Sequence, residues 1–235
     1  MKQEKERIIQ KLIHKPVMSF NELWDKQGSS NLFTYHLNSL IKDKLVEKTE
    51  KGYQLTHKGK KQAAYIEGET GKDAKFPLVG SIVVVFNEDK DKVLMMQRKK
   101  EPFYNYWGFV GGKLTFEQYI LECAKEELDQ EAGLECDLEL KGLFSSKTYN
   151  NEKLSYNHQM FIVKGVNPRG KLKKETREGS PKWINIKDVE KLTKFPNVPY
   201  VIDIALSKEF KWLEADRIQE NDEFVEMKIL KNQTV

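Results

Sequence analysis

The sequence predicts an α+β protein of two domains, and three observations support this. Through the first third of the chain, apolar residues recur at helical spacing, as in Ile8, Ile9 and Leu12. The later β-branched run Leu78-Val-Gly-Ser-Ile-Val-Val-Val-Phe86 is typical of a buried strand. Between them, residues 67–75 contain two glycines, five charges and no large apolar side chain. We therefore expect a first domain at 1–68, a linker at 69–76, a second domain at 77–208 and an extension at 209–235.

The composition excludes several classes of protein. The 235 residues are 39% hydrophobic and 32% charged, with no apolar run long enough to span a membrane. The charged N-terminal segment does not fit a secretory signal. Two cysteines, Cys123 and Cys136, are too few for a disulfide scaffold, so we expect a cytoplasmic protein with no membrane partner. The net charge of +4 is uneven, because residues 1–75 carry 15 basic and 10 acidic side chains, which favours contact with nucleic acid.

The first domain is predicted to begin with an amphipathic helix over residues 3–14, which Pro16 ends. Ser19 and Glu22 have the spacing of a capping box, which predicts the start of a short second helix. A third helix is expected from residue 29 or 30 to about residue 45, with Leu32 on its buried side. A hairpin of residues 46–49 and 52–55 should follow, and then a last helix from about residue 56.

This order of elements resembles a winged helix-turn-helix domain. The resemblance implies that the third helix presents its polar N-terminal end to base edges in the major groove, while nearby lysines contact phosphates of double-stranded DNA. The candidate groove residues are Ser29, Asn31, Thr34, Tyr35 and Asn38, and the candidate phosphate contacts are Lys42, Lys48, Lys51 and Lys58. Winged helices also mediate protein–protein contacts, so both kinds of partner stay open at this point.

In the second domain, residues 83–86 and 92–97 are predicted to pair as a hairpin. An aromatic cluster at residues 103–107 and a glycine-rich segment follow. The next helix should run from Gln118 to about Ala132, with Leu121 in its apolar stripe, and end at Gly133. Acidic residues crowd this helix. Glu127 and Glu131 are four residues apart, so both can approach one divalent cation.

Residues 111–134, which read GGKLTFEQYILECAKEELDQEAGL, resemble the Nudix box, whose pattern is G-x5-E-x7-R-E-U-x-E-E-x-G-U with U apolar. The flanks agree with the family: residues 94–98 resemble its strand ending in Arg, residues 106–112 its W-x-x-P-G-G approach, and residues 177–186 its closing strand. The resemblance covers residues 76–210. It implies an α/β/α sandwich with a mixed sheet, and Mg²⁺- or Mn²⁺-dependent chemistry on nucleoside diphosphate derivatives.

The box departs from the family pattern at positions that matter for catalysis. Gln118 stands at the first Glu, Glu126 at the Arg that pairs with it, and Gln130 at the first of the paired Glu residues. An amide and a carboxylate can still hydrogen-bond, so a weaker link between Gln118 and Glu126 is expected. Gln130 removes one negative charge and cannot act as a base, which should weaken a site for several metal ions.

The resemblance and these departures together give a candidate site. Glu127, Glu131 and Glu178 are the candidate catalytic carboxylates, although Glu178 can equally be an exposed loop acid. The candidate ligands of a weakly bound Mg²⁺ or Mn²⁺ are Glu127, Glu131 and Gly112. The candidate contacts to a nucleotide or a nucleoside-diphosphate-linked small molecule are Arg98, Tyr106 and Lys113.

Residues 224–230 alternate between apolar and polar side chains, which predicts an extra strand beyond the Nudix resemblance. Such a strand can join a sheet within the chain or across a homodimer.

Three functions are compatible with the sequence. The first is a DNA-binding transcriptional regulator whose Nudix domain binds a nucleoside-diphosphate-type ligand with weak or no hydrolysis. The second is an active Mg²⁺-dependent pyrophosphohydrolase with an accessory winged helix, and the third is a protein-interaction module. The basic first third and Gln130 favour the first, and a homodimer is expected with it because DNA readers of this kind often bind two half-sites.

Overall fold

The structure, a computed structural model, describes residues 2–24, 26, 28–66 and 75–235. The chain forms two compact units, residues 1–75 and 76–235. Of the linker predicted over residues 69–76, only Lys75 and Phe76 fall within the described residues. Among the helices of this described part, none has the length and apolar character needed to cross a bilayer.

The first unit contains helices α1 (Lys2–His14), α2 (Phe20–Trp24) and α3 (Ser30–Lys42), then strands β1 (Val46–Thr49) and β2 (Gly52–Leu55), and then helix α4 (His57–Ala63). β1 and β2 pair as an antiparallel hairpin. This arrangement is compatible with a winged helix. The core is a single apolar cluster to which every helix of the unit except the short α4 contributes a fully buried side chain, such as Ile8, Leu23 and Phe33.

The ends of these helices follow local chemistry. The Glu22 carboxylate accepts the Ser19 backbone N–H at 2.7 Å, and the Ser19 hydroxyl accepts the Glu22 N–H at 3.4 Å, so the predicted capping box forms. α3 ends at Lys42, earlier than predicted, because Lys44 has φ +58°, which a helix does not continue. Leu32 is 54% exposed and does not join the buried side of α3 as expected.

The second unit is built mainly from strands. Its elements are β3 (Leu78–Val85), β4 (Lys92–Arg98), β5 (Trp107–Gly108), α5 (Ile120–Ala132), β6 (Leu134–Asn150), β7 (Lys153–Gly170), β8 (Gly179–Asn185), a 3-10 helix (Ile186–Lys191), α6 (Val198–Leu206), β9 (Lys211–Glu220) and β10 (Glu223–Thr234). One sheet has the strand order β10-β9-β6-β7-β3 and is mixed, since β3 runs parallel to β7 and β9 runs parallel to β6. A smaller sheet has the order β5-β4-β8.

The predicted hairpin of residues 83–86 and 92–97 is wrong. β3 and β4 belong to different sheets, and within the described residues a single bridge, between Phe86 and Val93, joins this pair of segments. The continuous burial of β3 explains the difference. Val83, Val84 and Val85 have no exposed surface, as expected of a strand covered on both faces and paired in parallel rather than in a hairpin.

Helices cover both faces of the mixed sheet. Val83 and Val85 point to one face and pack in a cluster with Leu128 of α5, whereas Val84 packs on the other face in a cluster with Val201 of α6. The result is the expected sandwich. α5 ends at Gly133, whose φ of +70° is a conformation that glycine adopts without strain. Leu121, predicted in the apolar stripe of α5, is instead 45% exposed.

The C-terminal residues form a hairpin within the chain. β9 pairs antiparallel with β10 and extends the mixed sheet beside β6, so the segment predicted as an extra strand lies at the edge of the sheet. Cys123 and Cys136 are both free thiols. Burial raises the pKa of Cys136 to about 11, which leaves this thiol protonated and unreactive near neutral pH.

Candidate functional site

α5 delivers Glu127 and Glu131 to the glycine-rich loop that precedes it. The loop is fixed against β3, since the Ser81 N–H donates to the Gly112 carbonyl at 2.9 Å and the Val83 N–H donates to the Val110 carbonyl at 2.8 Å. A Cβ atom on Gly112 would lie 1.8 Å from Glu127 Oε1. Only glycine therefore leaves space for the Glu127 carboxylate at this position.

The two carboxylates lie in a poorly solvated place. Glu131 is 8% exposed and accepts the Gly111 N–H at 3.2 Å. Burial raises the pKa of Glu131 to about 7, and burial together with Glu126 raises the pKa of Glu127. Both groups are thus held where their ionised forms need a positive partner.

The three positions that depart from the Nudix pattern contact one another. The Gln118 side-chain amide donates to one Glu126 oxygen, and the Gln130 amide donates to the other at 2.7 Å. Gln118 also accepts from Thr115, with its Oε1 atom 3.1 Å from the Thr115 backbone nitrogen. We call Gln118, Glu126 and Gln130 the amide–carboxylate network. The Gln118–Glu126 bond is the predicted link between the loop and α5. The Gln130 side chain is engaged in the same network through its bond to Glu126.

Lys100, which the sequence reading did not single out, forms an ion pair with Glu178. Burial, then repulsion from Arg98, lowers the pKa of Lys100, while the negative charges of Glu131 and Glu127 oppose that change. Glu178 is therefore already paired with a lysine that also feels the charges of the two α5 carboxylates. The signal that could have found Lys100 is its position two residues after Arg98, at the end of a strand.

The other candidate ligand contacts differ in their surroundings. The Arg98 guanidinium donates to the Pro102 carbonyl at 3.0 Å from Nη2 and 3.2 Å from Nε, and burial lowers its pKa. Arg98 and the exposed Lys113 both line a pocket that also contains Glu127 and Glu131. Tyr106 packs between Phe195 and Phe224, with ring centroids 5.4 Å and 5.9 Å away, and is not among the lining residues.

The donor set fits a divalent cation only in part. Among the described residues, no group of three or more His, Cys, Asp or Glu side chains is placed to hold a metal ion. The Gly112 carbonyl already accepts the Ser81 N–H. Glu127 and Glu131 remain, and two carboxylates hold Mg²⁺ when phosphate oxygens of a bound ligand complete its coordination.

These residues belong to the lining of a pocket of about 1240 Å³, which is large for a single nucleotide. We call the lining residues Glu127, Glu131, Lys100 and Glu178 the acidic end. The aromatic and basic lining residues, which we call the basic end, are Phe103, Phe144, Tyr156, His158, Phe195 and Arg217. The sequence reading missed His158 and Arg217. An available signal was the alternation Leu213, Ala215, Arg217, which puts an arginine on an apolar strand face.

Residues 77–203, more than half of the chain, match the NUDIX domain family. The chain belongs to the Nudix family. The chain is 24% identical over 117 residues to the uncharacterised Nudix hydrolase YvcI of Bacillus subtilis, and the match covers 49% of this chain and 72% of that protein.

Solved Nudix structures share the fold. The mutator MutT protein of Bacillus halodurans is 22% identical with a TM-score of 0.55, covering 65% of this chain and 97% of that one. The NUDIX domain of Shewanella oneidensis NrtR, crystallised with ADP-ribose, is 17% identical with a TM-score of 0.50, covering 64% of this chain and 97% of that one. At these identities the similarity shows the fold of the Nudix unit and not its activity.

The unit that precedes the Nudix unit matches a domain of unknown function, DUF7347, at residues 3–66. In this unit, Asn31, Tyr35, Asn38 and Lys42 are exposed and share one face of α3, because they are spaced by three or four residues. Ser29, just before α3, and Lys48, on β1, are exposed as well. The Thr34 hydroxyl, in contrast, donates to the Ser30 carbonyl of the same helix at 2.8 Å.

Proposed function

We propose that this protein is a DNA-binding transcriptional regulator whose Nudix unit binds a nucleoside-diphosphate-type ligand with weak or no hydrolysis. The observation that carries the proposal is the Gln130 side chain, which donates to Glu126 at 2.7 Å. An amide that stabilises the helix in this way supplies no negative charge to a metal ion and cannot accept a proton from water.

The acidic end of the pocket is suited to binding a diphosphate. Glu127 and Glu131 would share a Mg²⁺ ion with the phosphate oxygens, and the metal would neutralise the charge of the diphosphate. Arg98 and Lys113 line the same pocket and attract the same phosphates directly. Lys100 offers a further positive charge, although its ion pair with Glu178 keeps Glu178 from acting as a free base.

ADP-ribose is the first ligand to test, because it was crystallised with the structurally similar NrtR domain. We expect ADP-ribose with Mg²⁺ to raise the melting temperature of the wild-type protein. Glu127→Gln should reduce that shift, while Glu88→Gln, which changes an exposed turn residue, should not. Turnover assays on ADP-ribose, ADP-sugars, dinucleotides and nucleoside triphosphates should detect little or no product at high protein concentration.

An active pyrophosphohydrolase is the second candidate, and the retained Glu127 and Glu131 carboxylates in the pocket lining favour it. Two carboxylates that hold a metal ion beside a diphosphate can support the hydrolysis of that diphosphate. The turnover assay separates the two candidates. Multiple turnovers that depend on Mg²⁺ and are lost in Glu131→Gln would establish the hydrolase and contradict the proposed absence of efficient hydrolysis.

We assign DNA binding to the first unit. Its support is the exposed face of α3 and the net charge of +5 on residues 1–75, from 15 basic and 10 acidic side chains. We expect the protein to bind DNA upstream of its own gene, as a homodimer on two half-sites, with an affinity that falls as salt rises. Electrophoretic mobility shifts at low salt and light scattering test the two points, and failure to bind at low salt would contradict the assignment.

A further inference from the structure

The basic end of the pocket is completed by a segment outside the Nudix match at residues 77–203. β9 places Arg217 in the pocket wall, and β10 places Phe224 beside it, with the Arg217 guanidinium carbon 5.6 Å from the Phe224 ring centroid. The Phe144 ring lies 5.9 Å from the same guanidinium. The C-terminal hairpin thus contributes a cation held between two aromatic rings.

Arg217 is a buried charge without an acidic partner. It is 9% exposed, and among the described residues no Asp or Glu forms an ion pair with it or shifts its pKa. Its Nε atom donates to Thr148 Oγ1 at 3.0 Å and its Nη2 atom donates to His158 Nδ1 at 3.2 Å. Its Nη1 atom makes no hydrogen bond to the part of the chain that the structure describes. Buried arginines are normally paired with an anion, so this guanidinium has donor capacity and charge to offer.

The surroundings of Arg217 do not neutralise it. Burial, then the charges of Arg217 and Lys113, lowers the pKa of His158 to about 4, so this imidazole is neutral and accepts from Arg217. Ser146 is opposite His158 in the β6–β7 register and also lines the pocket. Its hydroxyl is buried and has no hydrogen-bond partner among the described residues. A second buried donor therefore lies near Arg217 without a partner of its own.

We propose that Arg217 and Ser146 form an anion subsite that binds a phosphate group of the ligand other than its diphosphate. A phosphate presents several oxygens, so it can accept from the Arg217 fork and from the Ser146 hydroxyl together. The pocket volume of about 1240 Å³ accommodates a ligand longer than one nucleotide. This inference rests on the proposed function for the identity of the ligand, but the subsite itself is a property of Arg217.

The two ends of the pocket would hold phosphates by different means. At the acidic end Glu127 and Glu131 repel an anion unless a cation lies between them. At the basic end the cation is part of the protein, so binding there needs no metal ion. Arg98 and Lys113 can also attract phosphate without a metal ion. Phosphate binding is therefore assigned to the Arg217 subsite only if it persists in the presence of a chelator and also depends on Arg217.

The first test uses inorganic phosphate with EDTA and measures the melting temperature. We expect phosphate to stabilise the wild type and Arg169→Gln, which alters an exposed arginine paired with Asp137, but not Arg217→Gln. Ser146→Ala removes an unpartnered hydroxyl and should fold normally, yet it should reduce the phosphate shift by half or more, and it keeps the test valid if Arg217→Gln fails to fold. Equal phosphate shifts in all four proteins would overturn the subsite.

The second test compares ADP-ribose with ADP-ribose 2′-phosphate by calorimetry. We expect the wild type and Arg169→Gln to bind the phosphorylated ligand at least tenfold more tightly, and Arg217→Lys or Ser146→Ala to lose most of that preference. Equal affinity of the wild type for the two ligands would overturn the inference and leave the proposed function intact. If neither nucleotide binds, but phosphate raises the melting temperature of the wild type and not of Arg217→Gln, the proposed function is wrong and the anion subsite remains supported.

Discussion

At the scale of the residue, His158 shows how burial sets the charge of a side chain. Its Nδ1 atom is 3.2 Å from Arg217 Nη2, and an arginine can only donate, so the imidazole must accept. Protonation would remove the acceptor and place a second positive charge next to a buried guanidinium. Burial, Arg217 and Lys113 accordingly lower the pKa of His158 from 6.5 to about 4.

This shift predicts a specific loss of stability in acid. The unfolded chain takes up a proton near pH 6.5 and the folded chain only near pH 4, so the stabilisation is complete above pH 6.5 and is lost as pH falls towards 4. The loss should reach about 3 kcal/mol at most. His158→Gln keeps an acceptor for Arg217 and does not titrate. The free energy of unfolding in urea should therefore differ less between pH 7 and pH 4.5 in this variant than in the wild type. Exposed His57→Gln serves as the control, and equal pH dependences in wild type and His158→Gln would contradict the prediction.

Gly112 determines whether Glu127 can occupy its place. Because a Cβ atom would lie 1.8 Å from Glu127 Oε1, Gly112→Ala should displace that carboxylate and weaken Mg²⁺-dependent ligand binding about tenfold, or about 1.4 kcal/mol. Glu127→Ala should have a similar effect. The double variant should bind no more weakly than either single one, because both remove the same interaction. Additive losses would show that Gly112 acts through something other than Glu127, and calorimetry in the presence of Mg²⁺ makes the measurement.

At the scale of the element, α5 is where the chain departs from the Nudix pattern, and its departures act as a set. Gln118, Glu126 and Gln130 are joined through the two Glu126 oxygens, so changing Glu126 removes the bond that each amide donates within the network. Glu126→Arg alone should destabilise the protein by about 1 kcal/mol, because it removes two exposed hydrogen bonds whose amides water can then solvate.

Changing all three network residues to the Nudix pattern should restore two features of the family, the charged pair between positions 118 and 126 and the carboxylate at position 130. Gln118→Glu with Glu126→Arg pairs the loop with α5 through opposite charges, and Gln130→Glu returns a carboxylate to the pocket. We expect the triple variant to gain Mg²⁺-dependent hydrolysis of ADP-ribose by at least tenfold, measured by phosphate release in a coupled phosphatase assay. Adding Glu127→Gln should abolish the gain. If the triple variant folds but gains nothing, the alignment of the box on Gly112 is wrong.

Local patterns predicted the elements better than their pairing. The Ser19–Glu22 box, the β1–β2 hairpin and the end of α5 at Gly133 depend on neighbours in sequence, and they occur as expected. The pairing of β3 with β7 joins residues about eighty positions apart, and no short-range pattern specifies it. Arg217 lay outside any motif for the same reason. It reaches the pocket only because β9 pairs with β6.

At the scale of the whole molecule, the two units differ in charge. The first 75 residues carry a net +5, and the remaining residues, with 25 basic and 26 acidic side chains, carry −1. A basic unit that binds DNA should therefore act largely through its own lysines. Affinity for DNA should fall steeply with salt, since each neutralised phosphate releases condensed counterions.

Substitutions in the first unit should separate phosphate contacts from base contacts. Lys42→Ala with Lys48→Ala should lower the slope of log affinity against log salt by about 2 per chain, with little change in sequence preference. Asn38→Ala should instead reduce the preference for the specific site by about 1–3 kcal/mol. Fluorescence anisotropy at several salt concentrations measures both quantities. Lys90→Ala, an exposed lysine of the Nudix unit, is the matched control, and an equal slope change in that variant would contradict a DNA site on α3.

A regulator must also couple ligand to DNA, and thermodynamics makes that coupling reciprocal. If ADP-ribose with Mg²⁺ changes the affinity for DNA by some factor, saturating DNA must change the affinity for ADP-ribose by the same factor, typically five- to 150-fold. Anisotropy with and without ligand gives the first value, and calorimetry with and without DNA gives the second. Glu127→Gln should remove the ligand effect while leaving DNA binding unchanged. A ligand that binds tightly without altering the affinity for DNA would show that the two units work independently. Such a ligand binds the DNA-free and DNA-bound forms equally well and does not change the equilibrium between them.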